Sequence, residues 1–342
     1  LVRVPELDKP KLALGLPELV LRHDILRARY NLSTNEQYYT DDISVPEMHY
    51  LRVKSGLDID SVFTSWQNYF DIESGPLWSY GYVDGYADGS ARLYFAFHHL
   101  IIDTVSWRIL LSDIKSLYLG DSLLEKGSSY RQWVSAVSGY ATQYSSEQSY
   151  WDKVLSYSKN SYVRCKDLLR DSLVISSSKS RTLLSSVHIS YSTEINDILL
   201  TALAYSLNVV GGNTRHVVSL ESHGRTDLFT DLDVSSTVGW FTSVYPVLLE
   251  LGTDYSRSIK QIKESLRSVV NNGIGYGALG NSRYTDIVFN YLGQFDSDSG
   301  YWQVVPESSG MMSDVEEQSS LINISCFVMH GEFHFKFHSY LS

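Results

Sequence analysis

The hydrophobic pattern is sharpest between residues 93 and 120. Leu93-Tyr94-Phe95-Ala96-Phe97 is an unbroken apolar run that predicts a buried strand. A turn over Leu100–Asp103 follows, and then Val105, Ile109, Leu110, Ile114 and Leu117 recur at helical spacing until Gly120 stops them. Similar patterning predicts a helix around Pro17 to Arg29, hairpin-like stretches at Met48–Val53 and Leu77–Asp84, and a helical stretch Tyr130–Leu155 carrying Trp133, Val137, Tyr140 and Tyr144. That stretch is expected to close a first lobe, with Ser156–Asn160 as the crossover to a second. In the second lobe, Asp171–Ser190 is serine-rich and unpatterned, which predicts solvated loops. The helix Thr193–Leu207 and the strand Val217–Glu221 follow, and Glu332–His338 alternates strictly, as a strand does. Strands mixed with helices predict an α/β (α+β) fold.

The patterning places chemistry at strand ends. His98 and His99 stand where the strand meets the helix, a junction that presents groups to a ligand on a rigid backbone. For an isolated histidine, a hydrogen-bonded core residue is the commoner outcome. Adjacent residues on extended chain point to opposite sides, so only one of the pair faces any given site and a metal shared with Asp103 is the weakest option. Asp103, at a buried turn, needs a cationic or N–H partner, for which Arg27, Arg108 and Arg225 are candidates. Glu221 ends its strand as His99 ends the first, and Arg225 four residues on offers a structural salt bridge as the alternative to a catalytic role. Tyr291, among Val288, Phe289 and Leu292, suits either a phenol that donates a hydrogen bond to a ligand oxygen or a buried ring.

Three motifs lead nowhere. Leu119-Gly120-Asp121-Ser122-Leu123 reads as a helix C-cap and turn rather than a phosphopantetheine attachment site. His334 and His338 lie about 13 Å apart at strand rise, too far to share a metal. Gly273–Gly277 has neither the preceding strand nor the lysine ending of a nucleotide-binding loop.

Composition narrows the setting. With 342 residues, 43% of them apolar and 13% aromatic, the chain can bury a core in each of two domains. A net charge of −11 without basic patches argues against nucleic acid. Cys165 and Cys326 are too few for a disulfide framework and predict a reducing compartment. No run reaches the roughly 18 apolar residues of a membrane span, and no leader pattern opens the chain. A cytoplasmic protein that does not act at membranes is expected, and the chain reads as a piece of a longer polypeptide.

Six motifs stand in one order along the chain. His98-His99-Leu100-Ile101-Ile102-Asp103, followed by Ser106-Trp107-Arg108, resembles the active-site signature of the condensation superfamily of nonribosomal peptide synthetases. Glu194–Leu203, Glu221-Ser222-His223-Gly224-Arg225, Val238-Gly239-Trp240-Phe241-Thr242, Asn272–Gly277 and Phe289-Asn290-Tyr291-Leu292-Gly293-Gln294 resemble motifs of its epimerization branch. Leu21–Tyr30, Phe70–Leu77 and the terminal strand before Tyr340 are weaker echoes. The resemblance implies two chloramphenicol-acetyltransferase-like lobes in a V, 1–158 and 159–342, with the active site in the tunnel between them. It implies epimerization at Cα of an aminoacyl or peptidyl thioester, with His99, Glu221 and Tyr291 catalytic. His98, Asp103, Ser106, Trp107, His223, Arg225, Trp240 and Asn290 are supporting residues. No cofactor or metal of the chain's own is implied. The substrate arrives on the 4'-phosphopantetheine of an upstream peptidyl carrier protein, with adenylation and condensation domains as further partners. Condensation-type acyl transfer and an inactive carrier-docking domain are the rival functions.

Three positions depart from the family pattern. Thr104 replaces glycine, is expected to keep an ordinary backbone, and is a good N-cap for the helix that starts there. Ser222 for glycine adds a side chain beside Glu221, and Thr226 for glutamate removes a partner of Arg225.

Overall fold

The computed structural model describes residues 1–54, 56–158, 164–295, 300–305, 307–310 and 320–341. The chain forms two compact units. The first takes Leu1–Val134, Thr230–Phe241 and Ser297–Glu316, and the second Ser135–Phe229, Thr242–Asp296 and Glu317–Ser342.

The first unit opens with β1 (Val2–Val4) and α1 (Lys9–Arg22), whose N-cap Asp8 accepts from the Lys11 N–H at 3.0 Å. The helix expected over Pro17–Arg29 therefore lies earlier. After a 3-10 turn, Asp24–Arg27, the chain becomes β2 (Ala28–Asn31), paired antiparallel with β3 (Glu36–Tyr39). Next come β4 (His49–Arg52), α2 (Ile59–Gln67), β5 (Trp78–Asp84), β6 (Ala91–Phe97) and α3 (Thr104–Leu119). Gly120 closes α3 in the left-handed region, at φ 91°, as the C-cap that its position predicted.

The two stretches read as hairpin-like do not pair as a hairpin. β4 runs parallel to β5, and α2 provides the crossover that a parallel connection requires. β5 and β6 are the antiparallel pair. β6 reads as continuous apolar sequence because both of its faces are covered. Leu93 and Phe95 join the core that α1 and α3 build with Leu16, Leu19, Leu110 and Ile114, while Tyr94 faces Phe63 of α2 with ring centroids 5.0 Å apart.

The stretch 130–155 is two helices, α4 (Tyr130–Gln143) and α5 (Gln148–Leu155), separated by Tyr144 at φ −120° and ψ 30°. It does not close the first unit, because from Ser135 onward it belongs to the second. Residues 159 and 160 of the expected crossover, and with them the expected 158/159 division, lie at the edge of or outside the described residues.

The second unit continues with β7 (Leu169–Ile175), α6 (Ser177–Leu184), α7 (Ile195–Gly211), β8 (Arg215–Ser222), β9 (Ser243–Glu250), α8 (Tyr255–Arg267), α9 (Ile274–Ala278) and β10 (Ile287–Gln294). β11 (Gln303–Val304) returns to the first sheet, giving it the order β11-β1-β6-β5-β4. β12 (Ile322–Met329) and β13 (Glu332–Ser339) complete the second sheet, β7-β13-β12-β10-β8-β9, in which β10 is parallel to β8 and β12. The serine-rich 171–190 stretch thus contains a strand and a helix where loops were expected. Among the described residues β7 is an edge strand paired with β13 alone, and it is exposed over most of its length, so no apolar alternation betrays it. The core sets Leu199, Leu200, Ala204 and Leu207 of α7 against Val218, Leu220, Phe289, Ile324 and Cys326.

Candidate active site

The two histidines do different work. The His98 N–H donates to the Leu77 carbonyl at 2.8 Å, so the chain is still held as β6 ends. Its ring Nδ1 then accepts from the Leu100 N–H at 3.3 Å and caps the 3-10 turn His99–Ile101. Ile101 and Ile102 are buried, and the Tyr30 hydroxyl donates to the Leu100 carbonyl at 3.0 Å. The turn is thereby fixed from both sides, with the His99 side chain exposed. The His99 ring centroid lies 4.7 Å from that of Trp240, with the planes tilted by 57°.

Asp103 anchors the same turn. It is 5% exposed, and its carboxylate accepts from the Ser106 N–H at 2.7 Å and the Phe241 N–H at 3.2 Å. The first bond makes Asp103 itself the N-cap of α3, so Thr104 is the first helical residue and not the cap. Among the three arginines considered as partners, Arg27 donates to Asp24 and to the Thr40 carbonyl. The Ser106 hydroxyl donates to the Gly239 carbonyl at 2.9 Å and accepts from the Gly239 N–H at 3.1 Å. The Tyr130 hydroxyl donates to the Trp240 carbonyl at 2.8 Å. Residues 239 and 241, more than 130 positions away in sequence, are therefore tied to Ser106 and Asp103 beside the His99 turn, and residue 240 to the first residue of α4. Trp107, on the outer side of α3, stacks edge-on against Phe97 at 4.9 Å.

Gly239 fits because it lacks a side chain. A Cβ there would stand 2.5 Å from the Tyr130 ring. Gly239→Ala is expected to cost about 1–3 kcal/mol, the scale of an overpacked core, and to move the 239–241 strap. Thermal unfolding, together with loss of the His99–Trp240 contact, checks it.

In the second unit β8 delivers Glu221 to the last turns of its ladder, where it pairs in register with Val244 of β9. Glu221 is half-buried, and its Oε2 accepts from the Asn290 side-chain amide on β10. Tyr284 lies in the same surroundings: burial, then the charge of Glu221, pushes its phenol above the usual range. β8 ends at Ser222, opposite Ser243. In the loop beyond, His223 Nδ1 accepts from the Arg225 N–H at 3.1 Å around Gly224, at φ 70°. His223 thus shapes the loop, and the Thr226 hydroxyl takes a similar local role, accepting from the Leu228 N–H at 3.3 Å.

On β10, Tyr291 follows Asn290. Alternation along β10 sends it to the face of Ile287 and Phe289, where its ring lies 6.2 Å from that of Phe333. A bulge between Tyr291 and Gln294, with Gly293 at φ 87°, ends the regular alternation there.

The condensation domain profile matches residues 1–339. The chain belongs to the condensation domain family. This condensation-family chain is similar, at 36% identity over 90% of its length, to the N-(5-amino-5-carboxypentanoyl)-L-cysteinyl-D-valine synthase of Amycolatopsis lactamdurans, of which it spans 9%. It is 32% identical to gramicidin S synthase 1 of Brevibacillus brevis over 79% of its length and 28% of that protein. Among solved structures, the epimerization domain from the third module of tyrocidine synthetase B superposes with a TM-score of 0.85 at 29% identity, covering 99% of this chain and 85% of that one. VibH, a condensation enzyme, shares the fold at a TM-score of 0.69 and 16% identity, over 98% of this chain and 83% of that one. Mixed α/β architecture is thus established for this condensation-family chain. Among the described residues no helix is long and apolar enough to cross a membrane.

Sequence reasoning missed Tyr130 as part of the His99 environment. Its signal was faint: a tyrosine opening a helix, with no periodicity linking it to residue 240.

Proposed function

We propose that this condensation-family chain epimerizes the Cα of an aminoacyl or peptidyl thioester carried on the phosphopantetheine of a carrier protein. Inversion needs a base on one face of the carbon and an acid on the other. His99 and Glu221 fill those roles, and Asn290 orients Glu221. What carries the reading is the carboxylate at the end of β8, whose Oε2 accepts from the side-chain amide of Asn290 on the neighbouring strand. The likeness to an epimerization domain and the D-valine in the name of one relative's product support it. The resemblance adds Tyr291 as a hydrogen-bond donor to the enolate oxygen. The carrier and the adenylation and condensation domains belong to the same proposal, as does a cytoplasmic setting.

An L-valyl thioester on a carrier protein, incubated with the chain in deuterated water, tests this. Deuterium at Cα together with D-valine is expected. Peptide bond formation without exchange identifies acyl transfer instead, and binding without either identifies a carrier-docking domain. Tyr291→Phe is expected to slow exchange by about 10²-fold, as the loss of one donor to a developing oxyanion does, while the ring contact with Phe333 is kept. Full activity in that variant assigns Tyr291 to packing.

A further inference from the structure

We propose that Trp240 is a positioning residue, whose indole holds the His99 imidazole in the orientation that proton transfer requires. The proposal rests on the acid–base role given to His99 above.

The neighbouring residue supplies the contrast. Phe241 does the packing: it is 4% exposed and its ring meets Trp133 at 5.5 Å and Tyr130 at 5.0 Å. Trp240 is 39% exposed, so it contributes little to that core. Even so, its backbone is fixed more tightly than a surface loop requires. Gly239 is bonded through both its N–H and its carbonyl to Ser106, the Trp240 carbonyl takes the Tyr130 hydroxyl, and the Phe241 N–H goes to Asp103. Asp103 and Ser106 sit in the turn and helix that carry His99, so histidine and indole share one rigid frame. An exposed side chain without such a neighbour changes rotamer in picoseconds to nanoseconds. The indole, 4.7 Å away, removes part of that freedom from His99. A reacting group displaced by about 1 Å loses on the order of 10²-fold in rate.

The test uses the full chain with the carrier-bound L-valyl thioester. Trp240→Leu is expected to lower kcat for Cα exchange by about 10- to 100-fold, with KM changed by less than about twofold and the unfolding temperature kept. Trp240→Phe, which restores a ring, is expected to recover most of the rate. In NMR spectra of histidine-labelled protein, the His99 Cε1–H signal, assigned by its loss in His99→Gln, should carry the ring-current shift of the indole and lose it in Trp240→Leu. An unchanged kcat in Trp240→Leu, or a His99 signal indifferent to that substitution, overturns the proposal while exchange in the unaltered chain leaves the epimerase reading standing. Absence of exchange in the unaltered chain removes both.

Discussion

His99→Ala is expected to lower the rate of Cα inversion on a carrier-bound L-valyl thioester by about 10²–10⁴-fold, the usual contribution of a general acid or base, without lowering the unfolding temperature. The side chain is exposed, and the bonds that shape its turn come from His98, Tyr30 and Asp103, so its removal leaves the frame standing. Glu221→Gln is expected to cause a loss of the same order, since the amide keeps the volume of the carboxylate but not its basicity. The two variants should differ in what they retain. With one base left, each exchanges deuterium only into the enantiomer whose Cα hydrogen faces the remaining base and fails to deliver the other, so L-valyl and D-valyl thioesters assayed in turn, with chiral analysis of the released valine, read this directly. Full inversion in both variants would discard the two-base assignment.

Asp103→Ala should damage the fold as well as the chemistry. The carboxylate is 5% exposed and satisfies two N–H groups, one at the start of α3 and one at Phe241. Losing the cap costs about 0.5–2 kcal/mol, and leaving a buried N–H without its acceptor costs a further ~1–3 kcal/mol. Chemical unfolding should therefore show a loss of about 1.5–5 kcal/mol, and exchange should fall because the strap that bears Trp240 is released. Asp103→Asn keeps an oxygen for one of these N–H groups and is expected to fall between the parent and Asp103→Ala. A stable Asp103→Ala chain would mean that the 239–241 strap is held without it.

The strand and helix around the histidines were legible because both of their faces answer to local rules: continuous apolar sequence for a strand covered twice, helical spacing with a glycine stop for α3. Thr104 was misjudged as the cap for a physical reason. Threonine and aspartate are both good caps, and only the Asp103 bond to the Ser106 N–H chooses between them. β7 and α6 were hidden because an edge strand and a short surface helix bury little, so selection for apolar residues is weak there. The parallel pairing of β4 with β5 was hidden as well, since a strand's own residues do not name its neighbour.

Sequence alone determined which residue types are present at which strand ends, where α3 stops, and that six motifs stand in a family order. These follow from nearest-neighbour sterics and periodicity, which act within a few residues. Tertiary structure decided that His98 is a cap while His99 is presented, that Asp103 braces a segment more than 130 residues away, and that Glu221 is held by Asn290 while Tyr291 turns to the other face of the sheet. Each of these depends on which strand or loop arrives beside the residue, and that is fixed by the burial of whole faces rather than by the local chain.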